Sequence, residues 1–280
     1  PISRAHWQEY CDTVSDVVGL SAGDHVVEFG SNDGLLLSYF SKKKAEVTGI
    51  DPSPNLAKLA SKRGVHTISS FLGKESLGAA LKRHGLAKLI CGNNVLNHIF
   101  NLNEVMLPAV KSLRKDGYFV FESPYLGETV QNYLFDMIYH EHASYFSVRS
   151  ADYLFRKHDL YITNVERNKY HGGCIRVYAS KDPSRYNKKL VADFIRSENA
   201  SGLFSLATYK KFMAKIQKDK FHTLNLIYAL KKQNKKIAAI GAATKGNTLI
   251  NYYKLDGNTI EFVTDSSPFK IGKYTPGSFL

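Results

Sequence analysis

At 280 residues the chain is long for one domain and comfortable for two, and 44% hydrophobic beside 22% charged residues suits a globular protein with a sizeable core. No apolar run approaches the roughly 20 residues that span a bilayer, and the three scattered cysteines, Cys11, Cys91 and Cys174, argue against a disulfide framework or a cysteine-rich zinc site and for a reducing, cytoplasmic setting. The formal charge of +13 favours an anionic partner, but its lysines come in short groups such as 42–44 and 231–236, without an arginine-rich tail or a nucleic-acid motif. They read as solvated helix faces and not as a nucleic-acid surface. The chain opens at Pro1 and not at a methionine, so a lost leader stays open.

Strand and helix signals alternate over residues 25–122. "HVVEFG" predicts a short strand, "GLLLSYFSKKK" a helix, "AEVTGID" a strand and "NLAKLASKRG" a helix. "AKLICGNNV" and "GYFVFESP" predict two more strands, with helical "NEVMLPAVKSLRK" between them. Such alternation indicates a mostly parallel sheet covered on both faces. "SVRSADYLFRKHD" then reads as a helix, and "LYITNVERNKY" with "CIRVYAS" as an antiparallel pair closing the sheet edge. Residues 183–234 are charged, with apolar residues at helical spacing such as Phe212 with Ile216, and predict a helical linker. "KKIAAIGAATKGNTLINYY" and "IEFVTD" open a second α/β unit that stops at Leu280 after about two strands and reads as incomplete. The expected domains are thus 1–182, 183–234 and 235–280.

"VVEFGSNDG" places Glu28 at a strand end and Gly30 and Gly34 in the following turn. A dinucleotide fingerprint would have glycine where Glu28 stands, and an anion there repels pyrophosphate. A ligand with a cationic amino-acid tail fits better, and S-adenosylmethionine is that ligand. Asp51 ends the next strand about 20 residues on, where an acid can bind both ribose hydroxyls. "SSFLG", with Phe71, is a candidate adenine wall, although Phe71 can equally be core. "CGNNVLNHI" sets Asn93, Asn94, Asn97 and His98 where a strand meets a loop, and at least one asparagine there suits a capping role.

"FDMIYHEHASYFS" concentrates titratable groups: Tyr139, His140, Glu141 and His142. A metal site would need further ligands and a spacing such as His-Glu-x-x-His, which is absent. Proton transfer fits better: histidine can take a proton from a carbon next to a carbonyl, and tyrosine or a second histidine can stabilise the enolate. An exposed polar loop without chemistry is the plain alternative.

With "VVEFGSNDGLLL", "NNVLNHI", "FESPYL", "FDMIYHEHASYFS", "HGGCIRVYAS", "IAAIGAATKGNTLIN" and "SPFKIGKYTPGS" in view, the chain resembles, over nearly its whole length, the S-adenosylmethionine-dependent sugar C-methyltransferases that act on nucleotide-linked 4-keto sugars in deoxysugar biosynthesis. The resemblance implies a class I methyltransferase sheet, Rossmann-like with an antiparallel edge, then a helical linker and a partial second Rossmann-like unit. It implies that Glu28, Gly30, Ser31, Asn32, Gly34, Asp51, Phe71, Asn93 and Asn94 bind the cofactor. It also implies that His142 is the base, with Tyr139, Glu141 and His98 near the sugar. Gly173, Arg176, Gly241, Lys245 and Asp265 would contact the substrate, a nucleoside-diphosphate keto sugar. Relatives of this kind carry an N-terminal zinc module of paired cysteines, which has no counterpart here, so no metal is expected. An O- or N-methyltransferase of another small molecule, and a truncated nucleotide-sugar binder without turnover, remain alternatives.

Overall fold

The computed structural model describes residues 2–280, which form two compact units. Of these, the first comprises residues 2–126 and 143–200, the second residues 127–142 and 201–280.

In the first unit, α1 (Ile2–Val18) precedes β1 (His25–Phe29), α2 (Leu35–Lys42), β2 (Glu46–Ile50), α3 (Pro54–Lys62), β3 (His66–Ile68), α4 (Lys74–His84) and β4 (Ala87–Asn93). Next come α5 (Leu102–Ser112) and β5 (Leu113–Pro124), after which α6 (Leu126–Gln131) leads out of the unit. The chain returns with α7 (Val148–Lys157), β6 (Tyr161–Asn168), β7 (Cys174–Ser180) and α8 (Lys188–Ala200). The seven strands lie in the order β3-β2-β1-β4-β5-β7-β6. Strands β1 to β5 are mutually parallel, and β7 runs antiparallel to both β5 and β6. This is the expected mostly parallel sheet with an antiparallel edge.

The side-chain period of two sorts the strands onto two cores. Val27, Phe29, Ile90, Phe119 and Phe121 face α4, α5, α7 and α8. Val26, Leu89, Cys91, Tyr118 and Val120 face α1 and α2. All three cysteines are buried, and none forms a disulfide among the described residues. Strand order reverses between β1 and β4, the point at which open α/β sheets bind ligands beyond their carboxyl ends.

Some elements differ from the sequence reading. The helix expected through Lys115 stops at Ser112, because Leu113 pairs with Ala87 and opens β5. Helices α1 and α4 and strand β3 lie outside the sequence expectations, although the buried Tyr10, Cys11, Val14 and Val18 mark one face of α1. The 183–234 stretch is divided: α8 belongs to the first unit, where Val191 is buried and Leu190, Phe194 and Ile195 pack on the core. Its Glu198 carboxylate accepts the Tyr125 hydroxyl at 3.0 Å and the N–H of Val148 at 2.6 Å. A carboxylate there satisfies a first-turn donor of α7 and complements its dipole.

The second unit holds α9 (Leu206–Lys232), β8 (Ala238–Ile240), α10 (Thr244–Tyr253) and β9 (Phe262–Thr264), and β8 and β9 pair in parallel. Residues 127–142 belong here: the Phe135 ring lies 4.4 Å from that of Tyr252, and Tyr133 stacks on Phe212. The expected boundaries at 182 and 234 are therefore not those at which the chain packs. No helix among the described residues is long and apolar enough to cross a membrane.

Candidate active site

The carboxyl ends of β1, β2 and β4 surround two adjoining clefts. Gly30, at φ +61°, makes the turn after β1 possible, and a Cβ there would meet Val95 Cγ2 at 2.2 Å. Asn32 follows at φ +51° and donates its N–H to Asp51 Oδ2 at 2.9 Å. Asp51 Oδ1 takes the Ser53 N–H at 2.9 Å. Each carboxylate oxygen keeps a further acceptor position. Asp51 opens onto a cleft of about 560 Å³ with Gly30, Asn32, Asn94, Phe71, Leu72, His98 and Phe100. Phe71 and Phe100 are 79% and 85% exposed, so both offer aromatic surface and neither is core. His98 thus shares a wall with Asp51.

The second cleft, of about 370 Å³, is lined by Glu28, Gly30, Ser31, Asn32, Asn93, Trp7 and Tyr170 among others. Ser31 Oγ and Asn94 Oδ1 are buried without a hydrogen-bond partner, and Glu28 Oε2 and the Asn93 amide, buried near each other, make none of good geometry, although the amide offsets part of the burial of the Glu28 carboxyl. Buried polar atoms are nearly always paired, so unpaired ones clustered in a cleft fit a polar ligand. Gly34 plays another part than expected: a Cβ there would strike the Ala60 and Val65 side chains at 2.9 and 3.1 Å, so it allows α2 to pack.

Burial, with Asp51 and Asp33 adding repulsion, holds the Glu28 carboxyl well above the usual carboxylate range. The folded protein therefore keeps this proton longer than the unfolded chain does. Stability is unaffected well below the ordinary value of 4.5 and falls as pH rises from there through the raised folded value. Glu28→Gln should remove that loss. Thermal melts of the ligand-free protein should show a higher midpoint at neutral pH, by about 2–4 °C per kcal/mol relieved, and little gain below pH about 4. A midpoint lowered at every pH would show that the carboxylate is paired and not strained.

Arg176 was expected at the substrate, and the structure corrects this. It is 1% exposed, in the middle of β7, with Glu122 of β5 and Glu166 of β6 directly opposite on either side. Its guanidinium reaches Glu122 at 3.0 Å, Glu9 of α1 at 3.1 Å and Glu166 at 3.3 Å, and lies 4.4 Å from the Tyr10 ring centre. Burial alone would lower its pKa, but Glu9 and Glu122 outweigh it and hold the charge firmly. Arg176 ties α1 to the sheet. Gly173, at φ +125°, turns the chain into β7 and its carbonyl accepts the Tyr125 N–H, a structural task.

In the second unit, His142 Nδ1 lies 2.7 Å from the Met137 carbonyl. A carbonyl only accepts, so Nδ1 carries the proton and the neutral ring has its lone pair on Nε2. The Tyr139 ring packs against His142 with centres 4.2 Å apart. Burial and Glu141 raise the Tyr139 pKa, which keeps the phenol protonated. His140 and Glu141 instead line a cavity of about 350 Å³ together with Gly241, the first residues of α10, Lys270 and Lys273.

Lys245, expected there, is not among the lining residues. Lys270 and Lys273 supply the cations, because the chain after β9 folds back over the Gly241 turn. Asp265 organises that turn: Oδ2 accepts the Ala242 N–H at 2.9 Å and lies 3.2 Å from Lys270 Nζ, and Oδ1 accepts the Ser267 N–H. No group of three histidine, cysteine or acidic residues suited to a metal occurs among the described residues.

Residues 4–165 match the family model described as a methyltransferase domain. The chain belongs to the methyltransferase-domain family. Residues 169–280 match a second model, the C-methyltransferase C-terminal domain. A curated relative, the C-methyltransferase NovU of Streptomyces niveus, is 36% identical over 274 residues, or 98% of this chain. The chain spans 65% of that relative's length. Its fold is similar to magnesium protoporphyrin IX methyltransferase of Synechocystis (TM-score 0.50, 14% identity, 62% of this chain and 83% of that one). It is likewise similar to a geranyl diphosphate methyltransferase (TM-score 0.50, 12% identity, 62% and 78%).

Proposed function

We propose that this chain uses S-adenosylmethionine to methylate a carbon next to the ketone of a nucleotide-linked 4-keto deoxysugar. The observation that carries the carbon-acid reading is the hydrogen bond from His142 to the Met137 carbonyl, which sets the tautomer a base requires. The match of residues 169–280 to the C-methyltransferase C-terminal domain supports it. The cofactor reading is supported by the buried, poorly satisfied Glu28 and Asn93 groups, and by Asp51 with the exposed Phe71 and Phe100 in the larger cleft.

The bound cofactor supplies an electrophilic methyl group on a cationic sulfur. Glu28 and the Asn93 amide hold its amino-acid end, Asp51 accepts from the ribose hydroxyls, and Phe71 and Phe100 flank the base. His142 Nε2 takes the proton from the carbon next to the ketone. Tyr139, a phenol with its proton in place, donates to the enolate oxygen. The cavity with Lys270, Lys273 and the α10 N-terminus suits a diphosphate, because ammonium groups and free N–H groups both favour anions. Transfer of the methyl group is then chiefly a matter of positioning.

The test is incubation with methyl-labelled S-adenosylmethionine and a panel of nucleoside-diphosphate keto sugars, with the product's methyl group located by NMR. Label on a sugar carbon is expected. Label on oxygen or nitrogen would favour the other methyltransferase class. Tight binding of the sugar nucleotide without transfer would leave a binder.

A further inference from the structure

The small cleft has a wall that the roles above leave unused. Trp7, from α1, and Tyr170, from the turn before β7, line it together with Glu28 and Asn93. Their rings stand 5.6 Å apart at 67°, two aromatic faces meeting at a steep angle. Tyr170 is fixed from behind: His6 stacks on it at 3.9 Å with the planes 5° apart. His6 in turn lies 2.7 Å from the fully buried Glu122 Oε1. Trp7 is braced edge-on by His6 at 4.7 Å and Tyr10 at 5.9 Å. Both faces are thus held before a ligand arrives, which limits the ordering cost of binding.

Aromatic faces attract cations and repel carboxylates. The same cleft holds the buried Glu28 carboxyl, which has the Asn93 amide near it and no cation. A carboxylate and two aromatic faces around one small space select an ammonium group. We infer that Trp7 and Tyr170, with Glu28, form a cage for the α-ammonium of the cofactor's amino-acid end, and that His6 is the residue that positions Tyr170. The inference rests on the cofactor reading above. It also gives α1 a binding role, since α1 brings Trp7 and His6 and is tied to the sheet by Glu9 and Arg176. The raised pKa of Glu28 fits this: an arriving ammonium lets the carboxyl ionise, so binding should release a proton.

Two ligands separate the cage from the rest of the site. S-adenosylhomocysteine carries the ammonium tail, and 5′-methylthioadenosine keeps the adenosine and lacks the tail. Calorimetry on the wild type should show preference for the first. Trp7→Leu and Tyr170→Leu should each shrink that preference by roughly 5- to 30-fold, the range of a desolvated cation–aromatic contact, with the second ligand bound as before. Tyr170→Phe, which keeps the ring face, should retain the preference. His6→Ala should lower it less than Tyr170→Leu does. An unchanged preference in both leucine variants overturns the cage. A parallel loss of both ligands overturns it too, because it reduces the two rings to packing. A wild type that binds neither ligand overturns the cofactor reading itself.

Discussion

His142→Asn should lower methyl transfer by about 10²–10⁴ while both ligands still bind, because the amide keeps much of the shape and polarity of the ring but takes no proton. The variant should also stop exchanging the substrate's acidic hydrogen for deuterium from heavy water. Exchange is the more telling readout, since it follows proton removal and ignores the methyl group. Transfer lost with exchange retained would move the base elsewhere, with Tyr139 and His98 as the residues to test next. His140 offers the internal comparison. It is 87% exposed on its side chain and lines the lysine cavity with Glu141. His140→Asn should leave exchange nearly intact and act, if at all, on binding of the nucleotide part. Equal collapse in both variants would mean that the loop, and not one imidazole, is being measured.

Arg176→Met should destabilise the protein by about 3–5 kcal/mol, the usual cost of stranding a buried charge. Glu122 is fully buried and, among the described residues, would keep His6 at 2.7 Å and Asn168 at 2.9 Å. Urea denaturation followed by tryptophan fluorescence reads this well, because Trp7 is the chain's single tryptophan and sits on the helix that Arg176 tethers. Adding Glu122→Gln to Arg176→Met should recover part of the loss, since it removes the stranded charge. A variant as stable as the wild type would show that the three carboxylates satisfy one another through water and protons.

The strand-end site is legible in the sequence because its logic is local. Glu28, Gly30 and Asp51 follow from short apolar runs, one obligatory turn and a fixed spacing, and the sheet places them side by side. Arg176 misleads because its neutralisation is not local. In "CIRVYAS" an arginine looks like a lone polar group offered to a ligand. Only the register, which sets Glu122 and Glu166 opposite it on both flanking strands, shows that its charge is already matched. Lys245 stands close to Gly241 in sequence, whereas the lining lysines arrive from some 30 residues further on, a return no periodicity announces. Trp7 and Tyr170 escape notice for the same reason, standing 163 positions apart, the difference of their numbers. The grouping of residues 127–142 with the C-terminal part is equally hidden, because this stretch is short helical turns and loop with neither a strand nor a helix period.

That grouping bears on how such a protein can be taken apart or rebuilt. The peptide chain passes from one unit to the other at three places, after residues 126, 142 and 200. A protease nick at the last of these would leave the halves still joined twice. A gene cut there would yield a product carrying Tyr139 and His142 without the α9–α10 region, including Tyr252, beside which Phe135 packs. Exchanging the second unit between relatives therefore means exchanging residues 127–142 and 201–280 together, as a matched pair, since one crossover would carry only one of the two segments.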